Sequence, residues 1–187
     1  MNNPPDNGLA LSLKAIALLL HYPDGKLQAN CGEITDVLLA RPELYAAERA
    51  ALERFAAGLR EADPYEVQAE YVATFDHSKK VSLYLFEHVY GESRDRGPAM
   101  VELINAYREK GLEISGGLLP DYLPLFLEFC AGLPEQEARD WLADIARILQ
   151  QIHVRLVQRQ SDYALPFLIL LRLAGLDPAP DALRPPT

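Results

Sequence analysis

Apolar residues recur at spacings of three and four through most of this sequence, and that spacing removes the majority of folds from consideration. Side chains three and four apart share one face of an α-helix, whereas a strand alternates with a period of two. The longest run is Trp141, Leu142, Ile145, Ile148, Leu149, Ile152 and Leu156, which keeps one face apolar from about Glu135 to Arg159. Leu9 to Leu20 is apolar on most of its circumference, as expected of a central helix surrounded by others. A weaker helix runs to about Ala40, ahead of Arg41-Pro42, and Tyr45, Leu52, Phe55 and Leu59 then share a face. Asp63 is placed to cap a further helix, with Pro64 at its first position and Val67, Tyr71 and Phe75 pointing inward. Leu123, Leu127 and Cys130 repeat at helical spacing, and Tyr163 to Leu173 forms a last apolar helix. Strand signals are nearly absent, so the sequence predicts an all-α fold: a single compact bundle of about seven to nine helices over residues 1–175. A Pro-rich tail, 176–187, is expected to be mobile, since four prolines exclude a regular helix.

Two stretches interrupt the helical period. Between Asp76 and Ser93, Val81, Leu83 and Leu85 alternate like a strand, while Leu85, Phe86 and Val89 suit a short helix ended by Gly91; the short helix is the favoured reading. A helix from about Ser93 to Lys110 follows, with Met100, Leu103, Ile104 and Tyr107 on one face and Gly111 as its stop. The second interruption, Leu112 to Pro120, contains Gly116-Gly117 and reads as an exposed connection before Asp121, which stands at an N-cap position worth about 1 kcal/mol.

The charge balance narrows the partners. Eighteen Lys and Arg against 27 Asp and Glu give a net charge of -9, a field that repels nucleic-acid phosphates and anionic head groups and favours a basic partner. Cys31 and Cys130 stand alone among apolar neighbours, which points to reduced, buried thiols instead of a zinc site or a disulfide. Leu9 to Leu20 lacks a basic segment before it, carries Lys14, and meets His21-Tyr22-Pro23 where a signal peptide would have a small-residue cleavage site. With no run near the ~18 apolar residues of a membrane span, a cytoplasmic protein with no direct membrane insertion is expected.

An enzyme would draw on His77, Glu87, His88, Glu92, Asp95 and Asp121, the usual acid–base and metal-ligand types. Their spacing matches no HExxH, paired CxxC, GxSxG or phosphate-binding glycine loop. Arg94 and Arg96 sit at a helix start against the dipole, so helix stability does not account for them; an arginine fork that holds a neighbouring carboxylate would. Tyr84, Phe86, His88, Tyr90, Glu87, Glu92 and Asp95 crowd aromatic and acidic groups into a dozen residues. Such a mixture can grip a peptide that is both apolar and basic, or the aromatics are core and the acids solvated; physics alone leaves the two readings level.

Tyr71 to Asp76 (YVATFD), Ser82 to Gly97 (SLYLFEHVYGESRDRG), Ala99-Met100-Val101, Leu119 to Pro124 (LPDYLP) followed by Leu127-Glu128, and the early run Leu19 to Asp24 (LLHYPD) are together similar to the NarJ family. These are molybdenum-cofactor assembly chaperones of respiratory nitrate reductase, within the redox-enzyme maturation proteins that include the TorD and DmsD types. The resemblance implies an all-helical fold and no catalytic centre. It implies binding to the N-terminal leader-like peptide of the apo nitrate reductase catalytic (alpha) subunit, kept competent for insertion of molybdenum bis(guanine dinucleotide) before membrane attachment, with no cofactor held stably by the chaperone itself. Residues expected to meet the client are Tyr84, Phe86, Glu87, His88, Gly91, Glu92, Asp95, Arg96, Met100, Pro120, Asp121, Tyr122 and Pro124. Leu83, Leu85 and Val89 are expected to hold the fold beneath them. Family members carry His where this chain has Tyr122, so a histidine's role is not carried over, although tyrosine keeps a ring with a hydrogen-bonding tip. A monomer is expected. The alternatives are a small helical metal-dependent hydrolase built on His77 and His88, and a helical scaffold with no part in cofactor loading.

Overall fold

The computed structural model describes residues 8–114 and 116–176, and among them it contains nine α-helices and no named strand. In chain order these are α1 (Gly8–Leu20), α2 (Gly25–Leu39), α3 (Ala46–Glu61), α4 (Pro64–Phe75), α5 (Leu85–Val89), α6 (Arg96–Glu109), α7 (Leu123–Ala131), α8 (Glu135–Gln158) and α9 (Ala164–Leu173), with one 3₁₀ turn at Lys79–Val81. The tail expected over 176–187 lies outside the described residues apart from Leu176.

Hydrophobic burial places α1 at the centre, packed against α2, α7 and α9. Its Leu13, Ile16, Leu19 and Leu20 have no exposed surface, which is what its nearly uniform apolar character demands. α8 instead shows one clean stripe: Leu142, Leu149, Ile152 and Leu156 are fully buried, and α9 lies along this face. Local chemistry sets the helix ends. As expected, the Asp63 carboxylate accepts from the Tyr65 N–H (2.8 Å) ahead of Pro64, and Asp24, for which no capping role was expected, accepts from the Leu27 N–H (2.8 Å) at the start of α2. Gly111, at φ +80°, stops α6 in a left-handed conformation that glycine adopts without penalty. Both cysteines are buried and unpaired.

Four local expectations need correcting. Tyr45 is 46% exposed and caps α3 instead of extending its buried stripe. α6 begins at Arg96 and not at Ser93, because the Ser93 hydroxyl engages the Asp95 N–H (3.2 Å) and carboxylate (3.1 Å) and so closes a turn. Val89 is 56% exposed, since a helix as short as α5 buries a single side chain, Leu85. Asp121 is not the cap of the helix that follows it; Tyr122 holds that place without a side-chain bond.

A buried ion pair ties the beginning of the bundle to its end. The Arg172 guanidinium on α9 donates to Glu48 on α3 through Nη2 (2.7 Å) and Nε (3.0 Å), with both side chains 4% exposed. Glu48 also accepts from the Tyr45 N–H (2.9 Å), and the Tyr45 ring lies 4.1 Å from the guanidinium carbon. Removing one partner strands the other charge away from water. Arg172→Met is therefore expected to lower unfolding stability by about 3–5 kcal/mol, and Glu48→Gln combined with Arg172→Met to recover much of that loss, as read by urea denaturation.

Candidate functional site

The two irregular stretches meet. Tyr84 and Tyr122 form an antiparallel bridge, in which the Leu85 N–H donates to the Asp121 carbonyl (2.9 Å) and the Leu123 N–H to the Leu83 carbonyl (2.8 Å). The strand-like alternation of Leu83 and Leu85 and the helical spacing of Leu85 onward thus each describe one part of the segment: two residues pair, and the chain then coils into α5. Ser82 supports the turn. Its hydroxyl accepts from the Tyr84 N–H (3.1 Å), and its carbonyl accepts from His88 Nε2 (2.9 Å).

Asp121 is the centre of this junction. It has no exposed surface, yet its Oδ2 accepts from the Phe86 N–H (3.0 Å), so it caps the first turn of α5 from the far side of the sequence. The Arg96 guanidinium at the start of α6 stands 3.5 Å from the same oxygen and 4.0 Å from Glu87 Oε1. Oδ1 is buried and accepts no hydrogen bond among the described residues. Burial pushes the Asp121 carboxyl above its ordinary value, and the Phe86 N–H and Arg96 offset part of that push. Arg96 thereby answers the question its unfavourable position raised: it holds two carboxylates and joins three elements. Behind it, the Tyr107 hydroxyl donates to the Pro120 carbonyl (2.7 Å), and the Tyr107 ring packs 4.5 Å from Phe129.

The chain from residue 41 to residue 168 matches the family described as the nitrate reductase delta subunit. The chain belongs to this family. Relatives of the nitrate reductase delta subunit family include the nitrate reductase molybdenum cofactor assembly chaperone NarJ of Escherichia coli K12, 44% identical over 165 residues, which cover 88% of this chain and 70% of NarJ. The probable assembly chaperone NarW of the same organism is 42% identical, over 87% of this chain and 68% of NarW. The fold is shared with a solved protein from Archaeoglobus fulgidus described as a redox enzyme maturation protein, with a TM-score of 0.60 at 21% identity, covering 94% of this chain and 97% of that one. The family is thus one of chaperones and not of enzymes. Among the described residues no group of three or more His, Cys, Asp or Glu side chains is placed to hold a metal, and none of the helices is long and apolar enough to cross a membrane.

The residues expected to meet a client in this delta-subunit-family chain fall into two layers. Pro120, Asp121, Tyr122 and Pro124 are buried, and they form the support beneath the surface. Tyr84, Phe86, Glu87, His88, Arg96 and Met100 are half-buried, while Gly91, Glu92 and Asp95 are exposed. Glu92 meets Lys79 (3.3 Å) on the solvent side. Tyr71 was legible only as core, yet its hydroxyl donates to the Leu20 carbonyl (2.8 Å) and lies 3.4 Å from the Tyr122 hydroxyl. Its place inside the YVATFD motif was the available signal.

A carboxyl whose folded pKa lies above its unfolded one binds its proton more tightly when folded, so stability falls as pH rises through the folded value. Wild-type stability is expected to carry this Asp121 loss as pH climbs from about 3.9 upward, and Asp121→Asn to remove that part of the slope, in denaturant titrations at a series of pH values. Asp121→Ala leaves the Phe86 N–H without an acceptor and is expected to destabilise by about 2 kcal/mol or more.

Proposed function

We propose that this chain is an assembly chaperone for a nitrate reductase. It holds the N-terminal leader-like peptide of the apo catalytic subunit and keeps that subunit competent for insertion of molybdenum bis(guanine dinucleotide) before membrane attachment. The observation that carries the reading is the extent of the likeness to NarJ, 44% identity over 88% of the chain, from a relative named for molybdenum cofactor assembly. The chemistry of the surface supports it. Glu87, Glu92 and Asp95 present carboxylates in the same segment as the half-buried rings of Tyr84 and Phe86, on a protein of net charge -9. A leader-like peptide that joins apolar residues to Lys or Arg matches both features. On this reading the chaperone works in the cytoplasm as a monomer, and the cofactor is cargo delivered to the client.

Calorimetric titration with a synthetic peptide copying the start of the catalytic subunit is expected to show binding tighter than ~30 micromolar. Its absence would overturn the reading. Glu87→Gln with Glu92→Gln is expected to weaken that binding and flatten its salt dependence, because both carboxylates act through charge. In cells lacking the gene, the reductase is expected to accumulate with little molybdenum; a normal molybdenum content would favour the scaffold alternative.

A further inference from the structure

The motif Leu19 to Asp24 is only partly accounted for by the fold. Leu19, Leu20 and Pro23 are buried and Asp24 caps α2, but Tyr22 faces outward at 49% exposure. It continues a line. On α1 itself, Leu18 is 45% and Leu11 51% exposed, and positions 11 and 18 fall within about 20° of one another around the helix axis, with Tyr22 two residues past the helix end. Single exposed apolar residues are ordinary on any protein, but two leucines on one face of the central helix, with an exposed tyrosine just past its end, make a track.

The track ends beside the candidate site. The Tyr22 ring stands edge-on to Tyr71 (centroids 5.6 Å apart), the Tyr71 hydroxyl reaches that of Tyr122, and the Tyr122 ring lies 5.4 Å from Tyr84. Carboxylates flank this aromatic end. Glu128 on α7 lies 3.6 Å from His21 and is 45% exposed. Asp76 is exposed at the end of α4; burial first, then Tyr84, Asp76 and Glu128, push the Tyr122 phenol up, which places both acids within electrostatic reach of it.

We propose that Leu11, Leu18 and Tyr22 form the track on which the apolar residues of the client peptide lie, with Glu128 and Asp76 receiving a lysine or arginine of that peptide. This rests on the chaperone reading and extends it to a surface outside the 84–124 block. Charge selects the occupant: two copies of a chain at -9 repel each other, whereas a peptide with an apolar stretch and a basic end meets both the leucines and the acids.

The test is calorimetric titration of the same catalytic-subunit peptide into the full chain and two variants, Leu11→Ser with Leu18→Ser, and Glu128→Gln. Circular dichroism melting and light scattering accompany each titration. The serine variant is expected to melt as the wild type does and to bind at least about tenfold more weakly. Glu128→Gln is expected to bind a few-fold more weakly, with a smaller salt dependence. Unchanged affinity in the serine variant overturns the track and leaves the chaperone reading standing. No binding to the wild type overturns both. A wild-type dimer that the serine variant converts to a monomer, with peptide affinity unchanged, makes a second copy the occupant and likewise overturns the proposal.

Discussion

The carboxylate of Asp121 sits where no solvent reaches it, so every donor it receives must come from the protein. Its neighbours supply two different kinds of compensation. The Phe86 N–H is one of the unsatisfied donors at the start of α5, and Arg96 brings a positive charge from the start of α6. Because these come from separate elements, satisfying one buried group fixes the mutual placement of three. The backbone bridge between Tyr84 and Tyr122 makes the same junction rigid from below. A helix of five residues has little intrinsic stability, and α5 persists because its first turn is capped from a distance.

This junction explains why the unusual segment Leu83 to Met100 is divided as it is. Leu83 and Leu85 are buried beneath the bridge, whereas Glu87, His88 and Arg96 remain half-exposed above it. Backbone ties take up the inner face, which frees the outer one to keep carboxylates and rings in water. Arg96 serves both layers: its charge lies 3.5 Å from the buried carboxylate below and 4.0 Å from Glu87 at the surface. A side chain with two such tasks is one that lysine replaces poorly, since a point charge lacks the planar fork.

Tyrosines carry the connection further. Tyr84, Tyr122, Tyr71 and Tyr22 pass from α5 through the interior to the end of α1, each touching the next by ring or hydroxyl. The tyrosine at 122 supplies a bridging backbone position and a hydroxyl facing Tyr71. Elsewhere in the bundle, Glu48 and Arg172 perform a comparable task for α3 and α9, again by pairing groups far apart in sequence.

The helices themselves were legible in the sequence because helix formation is local. The α8 stripe, the Asp63-Pro64 start and the Gly111 stop depend on residues a few positions apart, and α8 ends within a residue of where its period ends. The ambiguity at residues 81–89 was also faithful, since that segment is part bridge and part helix. Motif content identified the family and marked Asp121 and Arg96, but their partners were beyond reach of any local rule. Asp121 reads as an N-cap for the helix after it but caps one 35 residues earlier; Glu48 reads as a first-turn acid and holds Arg172; Tyr22 follows buried leucines yet faces solvent. The sequence by itself determined which stretches coil and which faces are apolar, because those follow from spacing along one chain. Only the tertiary structure decided which charges meet and which apolar residues stay uncovered, because desolvation is set by what packs alongside and not by what comes next.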